Sequence, residues 1–176
     1  MNTSPSTLEA ALLGLLARGP ASGYELRKVF QTTPLAAYSD SPGAVYPALR
    51  RLEKRGYVTG RAEAGARRRK PWRLTAAGRA WLREWVARPV TADDVARDGA
   101  AVDLRLALLD NITPARLPAF LREYGAAVDA YLASLTGAAA ELSGLPPSAA
   151  CALDLGIHLV RARSAWCHRA ARDHAG

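Results

Sequence analysis

The sequence predicts a mainly α protein: three short helices, a small two-stranded hairpin, a fourth helix, and then a helical C-terminal half. Three observations predict this. Apolar residues recur at helical spacing along most of the chain. Two short β-favouring stretches, residues 57–61 and 72–75, flank a tip rich in small residues and arginine. The charge is lopsided: residues 1–88 hold 16 Lys+Arg against 6 Asp+Glu, whereas residues 89–176 hold 8 against 10. With 176 residues, 49% of them hydrophobic, the chain is large enough to bury a core, so global disorder is excluded. The formal charge of +8 points toward a polyanionic partner for the first half.

Each element has its own local cause. Ser6-Thr7-Leu8-Glu9 has the spacing of a capping box, in which serine and glutamate side chains satisfy each other's free amides. A helix over residues 8–18 follows, with Leu8, Leu12, Leu15 and Leu16 inward, and Gly19-Pro20 stops it. Ser22-Gly23-Tyr24-Glu25 repeats the box and starts a second helix that runs to about residue 31 and packs through Leu26, Val29 and Phe30. Residues 32–40 read as a loop. Ser41 is a good N-cap and Pro42 suits a first turn, so a third helix is expected over 41–56. Val45, Leu49 and Leu52 form its inward stripe, and Gly56 ends it. Pro47 is tolerable if the helix begins a residue or two late, which keeps that proline in the first turn. Thr75 then caps a fourth helix through Trp81, Leu82, Trp85 and Val86.

Residues 89–97 read as a linker between two domains, 1–88 and 98–176. Three helices are expected after it, over 98–110, 113–142 and 148–172. The middle one repeats Leu117, Leu121, Tyr124, Val128, Tyr131, Leu135, Ala138 and Leu142 at four-three spacing, the pattern of a coiled-coil seam. That seam can pack within a protomer or across a dimer. The start of the chain does not read as a secretory signal, because its apolar run contains Glu9 and has no basic residue before it. No stretch is long and apolar enough to span a bilayer. Cys151 and Cys167 fall in one expected helix about 24 Å apart, too far to bridge, which fits a reduced, cytoplasmic protein.

Three helices followed by a small hairpin make a winged helix-turn-helix, in which the third helix enters the DNA major groove and the basic wing follows the phosphates. On the third helix Gly43, Pro47, Arg50 and Lys54 lie opposite the apolar stripe. Gly43 and Ala44 allow close approach of the helix end, Tyr46 can stack or donate a hydrogen bond, and Arg50 can reach a guanine. Arg51, Lys54 and Arg55 read equally as DNA contacts or as charges complementing the helix dipole. Arg67-Arg68-Arg69-Lys70 repel one another and suit a phosphate-tracking wing, or a solubilising loop.

These residues resemble the PadR-like transcriptional regulators. Leu13-Gly14-Leu15-Leu16 with Ser22-Gly23-Tyr24-Glu25-Leu26 looks like the family's first motif. Ser41-Pro42-Gly43-Ala44-Val45-Tyr46-Pro47-Ala48-Leu49-Arg50-Arg51-Leu52-Glu53 looks like its recognition-helix motif, and Arg73-Leu74-Thr75-Ala76-Ala77-Gly78 like the close of its wing. The resemblance implies a dimeric repressor that binds double-stranded DNA and is often relieved by a small-molecule effector. It carries DNA contacts onto Tyr24, Ser41, Pro42, Gly43, Ala44, Tyr46, Pro47, Arg50 and the wing residues Arg61, Arg67, Arg68, Arg69 and Lys70. Dimerisation is expected through Leu117, Leu121, Tyr124, Val128, Tyr131, Leu135 and Trp166. One departure is Pro71-Trp72, where the family has two aromatics; proline tolerates only an edge or strand-start position, so the second strand is expected to begin late.

Other chemistry has little support in the sequence. His158, His168 and His174 near the cysteines match no zinc spacing, so neither a metal nor a cofactor is expected. No Ser-His-Asp or Cys-His arrangement is visible, and Asp93, Asp94 and Asp98 read as linker and helix-start charges, so an enzyme is not expected. Trp81, Trp85 and Trp166 are candidates to line a ligand pocket, or else simply core. A winged helix used for RNA or for protein contact is the alternative class; the basic tip speaks against a purely protein partner, and the wing has few of the stacking aromatics of single-stranded RNA binders.

Overall fold

The computed structural model describes residues 4–33, 35, 38, 43–60, 71–142 and 144–175. The chain divides into two compact units: Met1–Ala87 with Ala107–Pro114, and Arg88–Leu106 with Ala115–Gly176.

In the first unit, α1 (Thr7–Ala17) and α2 (Gly23–Thr32) both start at the expected capping boxes, on Ser6 with Glu9 and on Ser22 with Glu25. The buried face of α1 differs from the expected one. Leu12 and Leu16 are buried, as are Ala10, Ala11 and Leu13, whereas Leu8 and Leu15 are half-buried. The reason is that α1 packs against several neighbours, α3, α4 and a strand among them, rather than against one. Gly14 lets Leu108 lie against α1, since a Cβ there would come within 2.5 Å of the leucine methyl.

The third helix, α3 (Val45–Lys54), starts later than Ser41 and has Ala44 at its N-cap. Ser41 and Pro42 lie outside the described residues. The late start puts Pro47 at the third helical position, inside the first turn, where an amide hydrogen has no intrahelical acceptor anyway. Val45, Ala48, Leu49 and Leu52 are completely buried. At the far end Gly56, with φ 75°, turns the chain in a Schellman motif: its amide bonds the Glu53 carbonyl and the Tyr57 amide bonds that of Leu52.

Among the described residues the hairpin is part of a sheet of three strands, not two. β2 (Val58–Gly60) and β3 (Pro71–Leu74) pair antiparallel, Val58 opposite Leu74 and Gly60 opposite Trp72. The additional strand is β1 (Ala21–Ser22), which pairs with the other side of β3, Ala21 opposite Trp72. β3 is therefore central, and Pro71 is its first residue, a position that does not require a proline donor. Two residues are too few to show a strand period, and Ser22 also serves as the N-cap of α2.

Thr75 ties this sheet to α4 (Ala76–Ala87). Its hydroxyl lies 2.7 Å from the Gly56 carbonyl and accepts from the Gly78 amide at 3.1 Å. Gly78 is where α4 meets the Tyr57 carbonyl, with no room for a Cβ. Trp81 stacks on Trp85 at 5.7 Å and lies 6.0 Å from the Tyr57 ring, so these two tryptophans form part of the packing of this unit.

In the second unit, the expected linker over 89–97 is instead mostly helical. α5 (Ala92–Ile112) begins six residues early, and its last turns belong to the first unit. Thr91 and Asp94 cap it reciprocally, each side chain taking the other's amide at 3.1 Å. Non-helical φ/ψ at Asp98 kink the helix, and the Asp98 carboxylate caps the second segment through the Ala101 amide. The buried Arg105 guanidinium donates to the Arg88 carbonyl and lies 5.4 Å above the Phe120 ring. Burial, then the charge of Arg88, pushes its pKa down to about 10.

A 3-10 turn, Pro114–Arg116, leads into α6 (Leu117–Glu141), with Pro118 in the first turn, and α7 (Pro147–Asp173) returns antiparallel along it. Gly125 sits against Cys167, and Asp129 accepts from Ser164 Oγ at 2.5 Å and pairs with His168 Nε2 at 2.7 Å. The Ser164 hydroxyl, and secondarily His168, hold the Asp129 carboxyl below its ordinary range. Burial pushes the Cys167 thiol up to about 11. Among the described residues no helix is long and apolar enough to cross a membrane.

Three outcomes follow from this packing. Gly78→Ala forces α4 off the Tyr57 carbonyl and should cost about 1–3 kcal/mol in denaturant unfolding. Gly137→Ala, on a helix face with nothing within 4 Å, should gain up to about 1 kcal/mol in the same assay. A depressed folded pKa means that Asp129 contributes stability above the ordinary carboxylate range, and loses it as the pH falls through its folded pKa. Asp129→Asn should therefore lower the melting temperature at pH 7 and narrow its difference from wild type as the solution is acidified toward pH 3.

Candidate nucleic-acid interface

With Val45, Ala48, Leu49 and Leu52 locked inward, the opposite face of α3 is left bare, and Pro47, Arg50 and Lys54 are exposed along it. At its start Gly43 is exposed and Ala44 half-buried, so little bulk surrounds the helix end. Ala44 has no side-chain acceptor and Pro47 no amide hydrogen, which leaves the Val45 and Tyr46 amides as the first-turn donors of a positive helix end.

Tyr46 leaves the flank of α3 and lies over Gly23 at the start of α2; a Cβ on Gly23 would come 2.5 Å from its ring. Next to Gly23, Tyr24 is 68% exposed and Tyr46 44%. The two helix N-termini thus present two phenols beside the small-residue entry to α3. The structure brings together Tyr24, Gly43, Ala44, Tyr46, Pro47 and Arg50 from the expected set. Ser41, Pro42, Arg61, Arg67, Arg68, Arg69 and Lys70 lie outside the described residues. β2 and β3 are the paired strands that segment 61–70 connects.

The basic residues of α3 and its C-cap Arg55 divide into two groups. Arg50 and Lys54 point away from the unit's core, whereas Arg51 Nε donates to Glu9 Oε1 at 2.7 Å and Arg55 Nη1 to Glu9 Oε2 at 2.8 Å. Residue separations of 42 and 46 put these partners beyond any local pattern, so sequence spacing could not distinguish Arg50 from Arg51.

In the second unit, Asp103 accepts from the Tyr124 hydroxyl at 2.6 Å and pairs with Arg163 at 3.3 Å. Burial, reinforced by Asp103, pushes the Tyr124 phenol upward. These residues, with Leu106 and Trp166, line an open cavity of about 350 Å³. Among the described residues no cluster of His, Cys, Asp and Glu is arranged to hold a metal ion.

Three packed helices, a β-ribbon and an exposed third helix with a basic face define a winged helix-turn-helix domain. Residues 12–84 match the family model described as the transcriptional regulator PadR-like family. The transcriptional regulator YqjI of Escherichia coli (strain K12) is 36% identical over 77 residues, covering 44% of this chain and 36% of that protein. The negative transcriptional regulator PadR of Bacillus subtilis (strain 168) is 29% identical over 93 residues, covering 52% and 51%. The chain thus spans about a third to a half of the length of these relatives. A crystal structure of Bacillus subtilis PadR in complex with operator DNA is similar over 94% of this chain and 97% of that one, with 21% identity and a TM-score of 0.44. Residues 12–84 of this chain are thus similar to a family of transcriptional regulators.

An exposed arginine at the centre of the outward face of α3 generates a specific expectation. Arg50→Ala should relax preference at one or two base-pair positions by about 1–3 kcal/mol, as read by competition binding across single-substituted duplexes. Equal weakening on every duplex would make Arg50 a phosphate contact instead.

Proposed function

We propose that this chain is a cytoplasmic, homodimeric transcriptional repressor whose residues 1–88 bind double-stranded DNA and whose residues 98–176 dimerise and hold a small-molecule effector. The observation that carries the reading is α3, buried without remainder on one face and bare, basic and small at its entry on the other. Each protomer lays this helix in a major groove, with the Val45 and Tyr46 amides toward phosphates, Arg50 on base edges, Tyr24 beside the backbone and residues 67–70 along the flanking phosphates. Repression is in keeping with the name of the Bacillus subtilis relative.

A single winged helix touches too few base pairs for useful selectivity, and a two-fold dimer reads two half-sites. The apolar surface available to a second copy lies on α7. Cys151, Leu155, Leu159, Ala162 and Trp166 follow one another at spacings of 4, 4, 3 and 4, and all are exposed, Leu155 at 59% and Leu159 at 62%. This shifts the expected seam. Leu121, Tyr124 and Val128 are buried inside the unit already, while Leu117, Tyr131 and Leu135 are half-buried and Trp166 remains available. Trp166 also lines the cavity beside Asp103 and Arg163. An amphipathic ligand bound there changes the surface that a second copy meets, which gives the differential contact that coupling to DNA affinity requires.

Selection of fragments from the source genome, followed by salt-titrated shift assays, tests the reading. The expected result is a fragment preferred over random duplex of equal length, with affinity falling steeply with salt. Equal binding of both overturns it. Leu155→Glu with Leu159→Glu should sediment as a monomer and lose most of the affinity for the preferred fragment; a retained dimer would remove α7 from the interface.

A further inference from the structure

The ion-pair cluster behind α3 is not accounted for by DNA contact. Glu9 sits at the third position of α1 with its side chain 2% exposed. Both carboxylate oxygens are engaged: Oε1 by Arg51 Nε, and Oε2 by Arg55 Nη1 and by the Ser6 amide at 3.0 Å. A buried carboxylate left without partners is strongly unfavourable, so the two arginines are held to it. They are four residues apart, about 6 Å along α3, and therefore grip the helix at two points on one flank. On the other flank Tyr46 lies over Gly23. At 100° per residue, Tyr46 and Arg51 fall on opposite sides of the Pro47–Arg50–Lys54 face, about 70° from its centre.

We propose that Glu9 is a positioning residue that determines the selectivity of α3. It fixes the rotation of the helix about its own axis, so that Arg50 faces outward. It also withholds Arg51 and Arg55 from DNA phosphates. Phosphate contacts add affinity for every sequence alike, so two fewer of them lower the background against which base contacts are read. Of the four basic residues over 50–55, Arg50 and Lys54 then serve the nucleic acid. This inference rests on the DNA-binding reading above.

Glu9→Gln tests it. Glutamine keeps the shape and an oxygen for the Ser6 amide, so the capping box can persist, but the charge that holds both arginines is lost. On random-sequence duplex, the slope of log affinity against log salt should steepen by about one to two, at about 0.9 per new phosphate contact. The ratio of affinities for the preferred genomic fragment and the random duplex should fall several-fold. An unchanged slope overturns the proposal, as does a shallower one, which would make Glu9 a support that presents Arg51 to a phosphate. Arg51→Ala, which leaves the Glu9–Arg55 pair in place, decides the matter if Glu9→Gln does not fold. Its slope should equal that of wild type, and a slope shallower by about one overturns the proposal. A wild-type protein without preference for any fragment overturns the function and this inference with it. Wild-type preference combined with contrary variants overturns the inference alone.

Discussion

A helix that presents one face to a partner has to be held entirely by the other, and the first unit is organised around that requirement in α3. Val45, Ala48, Leu49 and Leu52 are removed from water completely, so the burial that anchors the helix uses every side chain on its inner face. Burial alone is non-directional and would tolerate some roll. The directional restraints sit on the flanks, where the Glu9 carboxylate meets two arginines and the Tyr46 ring covers Gly23. The ends are restrained too: Pro47 makes the first turn stiff, and the Schellman turn at Gly56 sends the chain directly into β2.

From that turn the rest of the domain is built by backbone approach. Thr75 bonds back to Gly56 and forward to Gly78, so one side chain joins the end of α3, the close of β3 and the start of α4. Gly78 is the consequence: α4 can reach the Tyr57 carbonyl only without a Cβ. β1 completes the sheet by using the two residues just before α2, which ties the helix pair to the same strands that carry segment 61–70.

The second unit is held by a different balance. Its interior mixes apolar contacts with polar groups: Tyr124 bonded to Asp103, Asp129 between Ser164 and His168, and Arg105, which donates to the Arg88 carbonyl above the Phe120 ring. The Asp129 contacts favour one register of α6 against α7, and the Tyr124–Asp103 bond one of α6 against α5, because sliding by a turn would strand each group without its partner. The apolar residues left over do not face inward at all. Leu155, Leu159 and Trp166 among them line the outer side of α7, where a second copy is the proposed cover.

Signals that act within four residues were legible in the sequence. The capping boxes at Ser6 and Ser22, the cap at Thr75, the stop at Gly56 and the inward stripe of α3 all appear where local spacing put them. The Thr91–Asp94 box was equally local and was obscured by the charged, proline-preceded stretch around it. The late start of α3 at Val45 is the kind that Pro47 in a first turn implies, but strand β1 was not legible, since two residues show no period. Neither was the division of the arginines. Arg50 and Arg51 are chemically identical neighbours, and the difference between an outward cation and one clasped by Glu9 arises from a partner 42 residues away. By itself the sequence determined most of the helical segments, the inward stripe of α3 and that the basic charge lies in the first half. The tertiary structure decided which of those charges are spent inside the fold and which apolar stripe is left uncovered, because both depend on pairings between distant segments that no local spacing encodes.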